Sequence, residues 1–413
     1  MSRQFVVVGA GYTGMAAVEA LRGTGFDGRV VMIGEEPHYP YERPPLSKAY
    51  LRGAHAREQL FPRLDSWYAE HRVEAFLSTR ARAVNTAERV VELDGGERVT
   101  YDRLLIATGG RPRSLRGVAG DRVLYLRTLE DADRLRSHLI PGSRLVVVGA
   151  GFIGCEVAAT ARALDVAVTV LEALDHPLGR VFGYEIGTLV AEIHRDEGVE
   201  LRCGEAVTSL TERGGEVVVT TSRGATISCD AVVVGVGIVP NVELVTGTAV
   251  QVDNGIIVDE YCRTSVEHIY AAGDVANHAH PIFGRRMRVE HYDNALRQGA
   301  AAALNMLDRA VVFDDVHWFW SDQYAHNLQY VGCADGWDQV VIRGSIRDRR
   351  FAAFYLRQRT VVAALGMDRG KDVHVAKRLV HARARVDPRL LRDEGVDLRT
   401  FVPPRQPCPP THP

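Results

Sequence analysis

An excess of charge of either sign is missing from this sequence. Lys and Arg number 50 against 52 Asp and Glu, for a net charge of −2 and a pI near 6.7. No global basic field is therefore available to gather nucleic acid. No apolar run approaches the ~18 residues that span a bilayer. The start, "MSRQFVVVGAG", enters a short apolar run ending in glycine without the anatomy of a signal peptide, so a cytoplasmic setting is expected. Six cysteines are scattered at 155, 203, 229, 262, 333 and 408, and none forms a C-x-x-C pair or a metal-like cluster. That spacing argues against a disulfide framework and against a zinc site, and no metal is expected. Lysine is nearly absent as well: only Lys48, Lys371 and Lys377 occur, and the remaining basic residues are arginine. A chain that writes almost every positive charge as Arg yet keeps a Lys in "PYERPPLSKAYL" has a use for it there.

The 413 residues predict two to three domains. Strand, glycine turn, helix and strand follow one another in "FVVVGAGYTGMAAVEALRGTGFDGRVVMIGEE". Val6–Val8 are continuously apolar, as in a strand buried on both faces of a parallel sheet. Beyond Gly14, the residues Ala17, Val18 and Leu21 recur at helical spacing. A second copy begins at Arg144 with "RLVVVGAGFIGCEVAATARALDVAVTVLE". Between the copies, "YDRLLIATGGRPR" reads as a strand broken at Thr108, Gly109 and Gly110. Further runs at 217–221 and 231–234 read as strands, "VVVGVGIVPN" as a return crossing, and "HIYAAGDVA" as a strand stopped at Gly273 and Asp274. From about 316, short apolar runs between polar turns predict a meandering antiparallel sheet, with a helix over 370–384. The fold class expected is α/β: two Rossmann-like dinucleotide-binding domains plus a C-terminal α+β domain with an antiparallel sheet. The expected boundaries are 1–111 with 241–315 for a split FAD domain, 112–240 for an inserted NADH domain, 316–400 for the C-terminal domain, and 401–413 for a proline-rich tail.

Gly9-x-Gly11-x-x-Gly14 opens a helix directly after a strand. Its glycines allow the tight turn, the approach of backbone to a pyrophosphate and the close packing of helix on strand. The helix N-terminus then favours the anion. Glu35 follows about 20 residues on, where a carboxylate can accept from ribose hydroxyls. Gly149-x-Gly151-x-x-Gly154 repeats the device with Glu172. One such cradle is weak evidence; two, each with strand, helix and acid, predict two bound dinucleotides. Later segments return to the first cradle, so it is assigned FAD, with Asp274 placed to accept from a ribityl chain. The second is assigned NADH, because Glu172 would repel a 2′-phosphate and only Arg180 stands nearby to offset it.

With these motifs in place, the chain resembles the ferredoxin reductases that feed bacterial Rieske oxygenases and cytochrome P450 systems. They are similar in fold to glutathione reductase and apoptosis-inducing factor. The matching stretches are "GAGYTG", "PYERPPLSK", "LLIATGGRPR", "YLRTLEDA", "VVVGAGFIGCEVAA", "AAGDVA", "RVEHYDNALRQG" and "FWSDQY", in order over roughly residues 5–385. The resemblance implies FAD contacts at Thr13, Glu35, Arg43, Lys48, Ala81, Arg127, Asp274 and Tyr292. Tyr12, Thr108, Gly109 and Glu290 join them from the same motifs. It implies NADH contacts at the second cradle with Phe152 and Ile153, and at Glu156, Glu172 and Gly237. Lys48 is implied to point at the flavin and to pair with Glu156, and Trp320 to lie at the flavin edge. Cys155 stands where leucine is usual, and a buried free Cys serves there as a small hydrophobe. Ser47 is expected to cap a short helix beginning near Lys48.

The helix after the first cradle, "MAAVEALRGTG", and the loop "EEPHYPYERPPLSK" carry no cysteine, so thiol-based two-electron transfer is not expected. The expected acceptor is an acidic [2Fe-2S] ferredoxin, docking on arginines such as Arg285, Arg286, Arg288, Arg297 or those of "RDRR" (347–350). Rubredoxin reductase and an NADH-sensing interaction protein similar to apoptosis-inducing factor are the alternatives. The chain is expected as a monomer or homodimer, acting away from nucleic acid and membrane.

Overall fold

The computed structural model describes residues 3–115 and 120–403, in two compact units, Met1–Asp314 and Asp315–Pro413. Within the first unit, five parallel strands run in the order Ile269–Ala271, Arg103–Ile106, Gln4–Val8, Arg29–Ile33 and Val73–Phe76. Val6, Val7, Val30 and Val31 are wholly buried, which is why the central runs are apolar without alternation. A second parallel sheet repeats that order with Val123–Leu124, Ala231–Val234, Arg144–Val148, Ala167–Glu172 and Glu200–Cys203. Each sheet is accompanied by a three-stranded antiparallel meander: Ala81–Asn85, Val90–Leu93 and Arg98–Thr100 in one half, Val207–Arg213, Glu216–Thr221 and Thr226–Cys229 in the other. The halves are thus copies of one architecture.

Two segments carry the chain between the copies. Gly110–Pro112 leaves the first sheet and Ile238–Pro240 returns, paired antiparallel. Asn241 locks the crossing: its Nδ2 donates to the Thr108 carbonyl at 3.0 Å, and Thr108 Oγ1 donates to the Asn241 carbonyl at 2.7 Å. The returning chain ends in the helix Tyr292–Met306, which lies against the first-cradle helix Tyr12–Gly23. The approach requires Gly299, since a Cβ there would stand 2.4 Å from the Thr13 carbonyl oxygen.

The second unit is an antiparallel sheet ordered Trp318–Gln323, His326–Gly332, Thr360–Met367, Arg350–Arg357 and Gln339–Ser345. It is not a simple meander, because His326–Gly332 pairs with Thr360–Met367 and the intervening hairpin fills the far edge. The helix Gly370–His381 buries Val373, Ala376, Leu379 and Val380. The proline-rich stretch 401–413 lies largely outside the described residues. Among the described residues no helix is long and apolar enough to cross a membrane.

Candidate dinucleotide and electron-transfer site

The cradles show which of their glycines serve the protein and which do not. A Cβ on Gly14 would lie 2.0 Å from the Gly9 carbonyl oxygen, and a Cβ on Gly9 would lie 2.1 Å from that of Ala107. In the second cradle the same contacts are 2.0 Å at Gly154, against the Gly149 carbonyl oxygen, and 2.6 Å at Gly149, against that of Gly235. These four are required by the fold of the backbone on itself. Gly11 and Gly151 are not: among the described residues, a Cβ on either would meet nothing within 4 Å beyond its own chain neighbours. Their φ angles of −99° and −78° suit any residue. A glycine needed neither for conformation nor for internal packing leaves room for something else, and each stands at the N-cap of a helix whose first N–H groups point outward. The residues present therefore fit a pyrophosphate at each cradle.

Around the first cradle, distant segments converge. Gly273 presses on Thr13, with a virtual Cβ 2.2 Å from Thr13 Oγ1, and Gln298 Oε1 accepts from the Gly273 N–H at 2.8 Å. Arg127 Nη2 donates to Asp274 Oδ2 at 2.9 Å, beside Gly109. Arg43 donates to the Arg127 carbonyl and to Glu36 Oε1, both at 2.5 Å, and Tyr41 Oη donates to Glu36 Oε2 at 2.5 Å. The Tyr12 and Tyr292 rings lie 4.8 Å apart, and Tyr292 Oη donates to Glu42 Oε1 at 3.4 Å. Burial raises the Tyr12 phenol far above its ordinary range, so it stays protonated. Glu290 pairs with Arg288 at 2.7 Å, and Arg288 also donates to the Asp274 carbonyl at 3.2 Å. Ala81 begins the first meander, half-buried. Glu35 lies two residues past the end of its strand, 71% exposed, with Arg80 at 3.7 Å.

Glu172 is placed differently. It ends its strand, and its two oxygens accept from Ala150 N at 2.6 Å and Leu174 N at 2.8 Å, closing it over its own cradle. Phe152 packs edge-on against Phe182 at 5.6 Å, Ile153 is exposed, and Gly237 holds φ +98°. The side chain of Arg180 lies outside the described residues. Cys155 is buried, its thiol pushed up by burial, with Sγ 3.6 Å from the Ala150 carbonyl oxygen; it fills space as a hydrophobe does. Burial likewise raises the Cys229 thiol to about 12 and the Cys203 thiol above its ordinary value. None of the three is poised as a nucleophile.

Lys48 joins the halves. Its Nζ donates to Glu156 Oε2 at 2.7 Å, with the lysine side chain 16% and the glutamate 3% exposed. Glu156 belongs to the helix Phe152–Arg162 that opens at the second cradle. Ser47 does not cap a helix starting near Lys48. The prolines instead nucleate a 3₁₀ turn over Pro44–Ser47 that ends at Lys48, because fixed φ at its first positions favours that turn. The serine hydroxyl donates to Glu156 Oε2 at 2.5 Å. Sequence reading missed this use of Ser47, and missed Glu36 as the carboxylate anchoring Arg43 and Tyr41. Nothing local separates Glu35 from Glu36; only the strand's end decides which one faces inward. Of the arginines considered for docking, Arg286 donates to the Val258 carbonyl at 2.8 Å and Arg297 pairs with Asp293 at 2.8 Å. Arg347–Arg350 surround a turn of the second unit, where Trp320 also stands, stacked on Trp318 at 5.3 Å.

Two phosphate cradles on duplicated parallel sheets, bridged by a half-buried ammonium on a buried carboxylate, define an oxidoreductase that works with FAD and a nicotinamide dinucleotide. The chain belongs to the pyridine nucleotide-disulphide oxidoreductase family, whose model matches residues 3–299, and residues 318–402 match a reductase C-terminal domain. It is 36% identical to putidaredoxin reductase of Pseudomonas putida, over 96% of each chain. With the ferredoxin–NAD(+) reductase component of an anthranilate 1,2-dioxygenase system of Burkholderia cepacia it shares 39% identity, over 96% of this chain and 99% of that one. Among solved structures, the covalent putidaredoxin reductase–putidaredoxin complex superposes with a TM-score of 0.94 at 36% identity, covering 97% of this chain and 98% of that one. The resemblance read from the motifs thus extends over the whole chain.

Proposed function

We propose that this chain takes two electrons from NADH onto FAD and passes them singly to a [2Fe-2S] ferredoxin that serves a cytochrome P450 or Rieske oxygenase in the cytoplasm. FAD supplies the exchange between two-electron and one-electron chemistry. The observation that carries the reading is the Lys48–Glu156 pair, which ties the loop after one cradle to the helix of the other. A lysine there places a compact ammonium against the flavin, and Glu156 offsets the cost of its burial. An ammonium in a poorly solvated place favours electron uptake by the ring. The four thiols raised by burial, Cys155, Cys203, Cys229 and Cys262, support an acceptor other than a disulfide.

In this reading the FAD domain comprises 1–111 and 241–315, the NADH domain 112–240 and the C-terminal domain 316–400. Gly9, Gly11, Tyr12, Thr13, Gly14, Glu35, Arg43, Lys48, Ala81, Thr108, Gly109, Arg127, Asp274, Glu290 and Tyr292 hold FAD. Gly149, Gly151, Phe152, Ile153, Gly154, Glu156, Glu172, Arg180 and Gly237 hold NADH. The assignment of Trp320 to FAD rests on the resemblance alone.

The test is NADH-driven reduction of cytochrome c by purified protein with and without added [2Fe-2S] ferredoxin. Rates that rise steeply with ferredoxin bear the reading out. Equal rates with and without it, together with NADH-induced dimers, would replace it by a sensing role.

A further inference from the structure

The residue before Lys48 is buried more deeply than the lysine, whose Nζ also donates to the Pro44 carbonyl at 3.2 Å. Ser47 is buried, and one face of the helix Phe152–Arg162 holds it twice. Thr160 Oγ1 donates to the Ser47 carbonyl at 2.8 Å, and Ser47 Oγ donates to Glu156 Oε2 at 2.5 Å. Glu156 and Thr160 are four residues apart, so they stand one above the other on that face. The oxygen that accepts from Ser47 also accepts from Lys48 Nζ at 2.7 Å. All three side chains other than Lys48 are buried.

We propose that Ser47 is a positioning residue for electron uptake: bracketed by Glu156 and Thr160, it registers the Lys48 ammonium to the NADH-binding helix and sets how far Glu156 neutralises it. The proposal rests on the reading of Lys48 as a flavin residue. Its first part is mechanical. The helix that begins at the Gly151 cap is one rigid body, so the turn that receives the nicotinamide dinucleotide and the face that fixes Ser47 move together. The prolines at 44 and 45 remove slack from the loop between the grip and the rest of the first half. Its second part is electrostatic. A hydroxyl donating to a carboxylate draws charge from the oxygen it shares. Without that donor, Glu156 holds the ammonium harder and leaves less of its field for the ring.

The expected result for Ser47→Ala is FAD still bound, NADH-driven reduction slowed about tenfold in stopped flow, an NADH KM nearly unchanged, and a flavin midpoint potential shifted to more negative values. Tenfold corresponds to the low end of what one hydrogen bond to a charged group contributes. Ser47→Thr keeps the hydroxyl and should restore both rate and potential. Thr160→Val removes only the carbonyl grip and should slow reduction by roughly threefold; it also stands as an independent arm if Ser47→Ala folds poorly. Lys48→Ala is measured alongside. Slow Lys48→Ala with Ser47→Ala at the wild-type rate and potential overturns the bracket and leaves the lysine's role intact. Wild-type reduction in Lys48→Ala overturns both. A Ser47→Ala protein that loses only thermal stability, with its potential unmoved, makes Ser47 structural and sinks the proposal.

Discussion

The two cradles share nearly the same forbidden contacts, 2.0 Å at both Gly14 and Gly154, yet treat their acids oppositely. Glu172 is folded back onto the second cradle through Ala150 N and Leu174 N. Glu35 stands in solvent beside Arg80, and its neighbour Glu36 is engaged with Arg43 and Tyr41 instead. The difference teaches how one architecture serves two kinds of ligand. In the proposed assignment, the group that stays bound takes the first cradle, where Thr13, Arg43, Arg127, Asp274 and Tyr292 would hold it from five parts of the chain. In the same assignment, the group that must leave takes the second cradle, where one carboxylate is held ready by two backbone donors. Preorganisation raises affinity by cutting the ordering cost of binding.

The comparison breaks most visibly at the two open glycines. Gly11→Val and Gly151→Val branch from a Cβ that has open space around it, so both proteins should fold. The first is expected colourless on purification. The second should be yellow, with its NADH KM raised roughly 100-fold, since several backbone hydrogen bonds of about 1 kcal/mol each are blocked. Absorbance at purification and steady-state kinetics check this; a yellow Gly11→Val protein would reverse the assignment of the cradles.

Exchanging the acids sharpens it further. Glu172→Ser should lower the NADH-over-NADPH ratio of kcat/KM by about tenfold or more, because the charge that repels a 2′-phosphate is gone. Glu35→Ser should cost FAD affinity only a few-fold, as an exposed carboxylate gives little. Equal effects from the two substitutions would erase the distinction drawn here.

Acid gives the smallest effect and loads the first half. His278, in the strand Ala276–His280, has its imidazole pushed down to about 3 by burial and then by His280. Its folded value lies below the unfolded value of about 6.5. The unfolded chain therefore binds the extra proton, and stability is complete above that value and drains as pH falls toward 3. Between pH 6.5 and 5 the loss is about 2 kcal/mol for this group. Denaturant unfolding at both pH values should show a shallower fall in His278→Gln; an unchanged slope would assign the acid response elsewhere.

Much of this was legible in the chain. Both glycine cradles, their strands and the helix at Gly370–His381 stand where periodicity put them, because a strand buried on both faces and a strand–glycine–helix turn leave local marks. The meander Ala81–Thr100 and the strand Arg285–Arg288 were not legible. The run Arg285–Arg288, expected as docking arginines, is a strand paired with Ala276–His280; Arg285 and Arg286 are exposed there, and Arg286 also donates to backbone carbonyls. Ser47 was misread for a similar reason: its partners lie 109 and 113 residues away.

Sequence alone determined that two dinucleotides could be cradled and that one lysine was singular, since steric demands on glycine and the scarcity of a residue type are written locally. Tertiary structure decided which glutamate faces inward, what Ser47 grips, and that a helix of one sheet holds the loop of the other. Those outcomes depend on where strands end and which segments return to touch, and burial acts on that arrangement rather than on the order of residues.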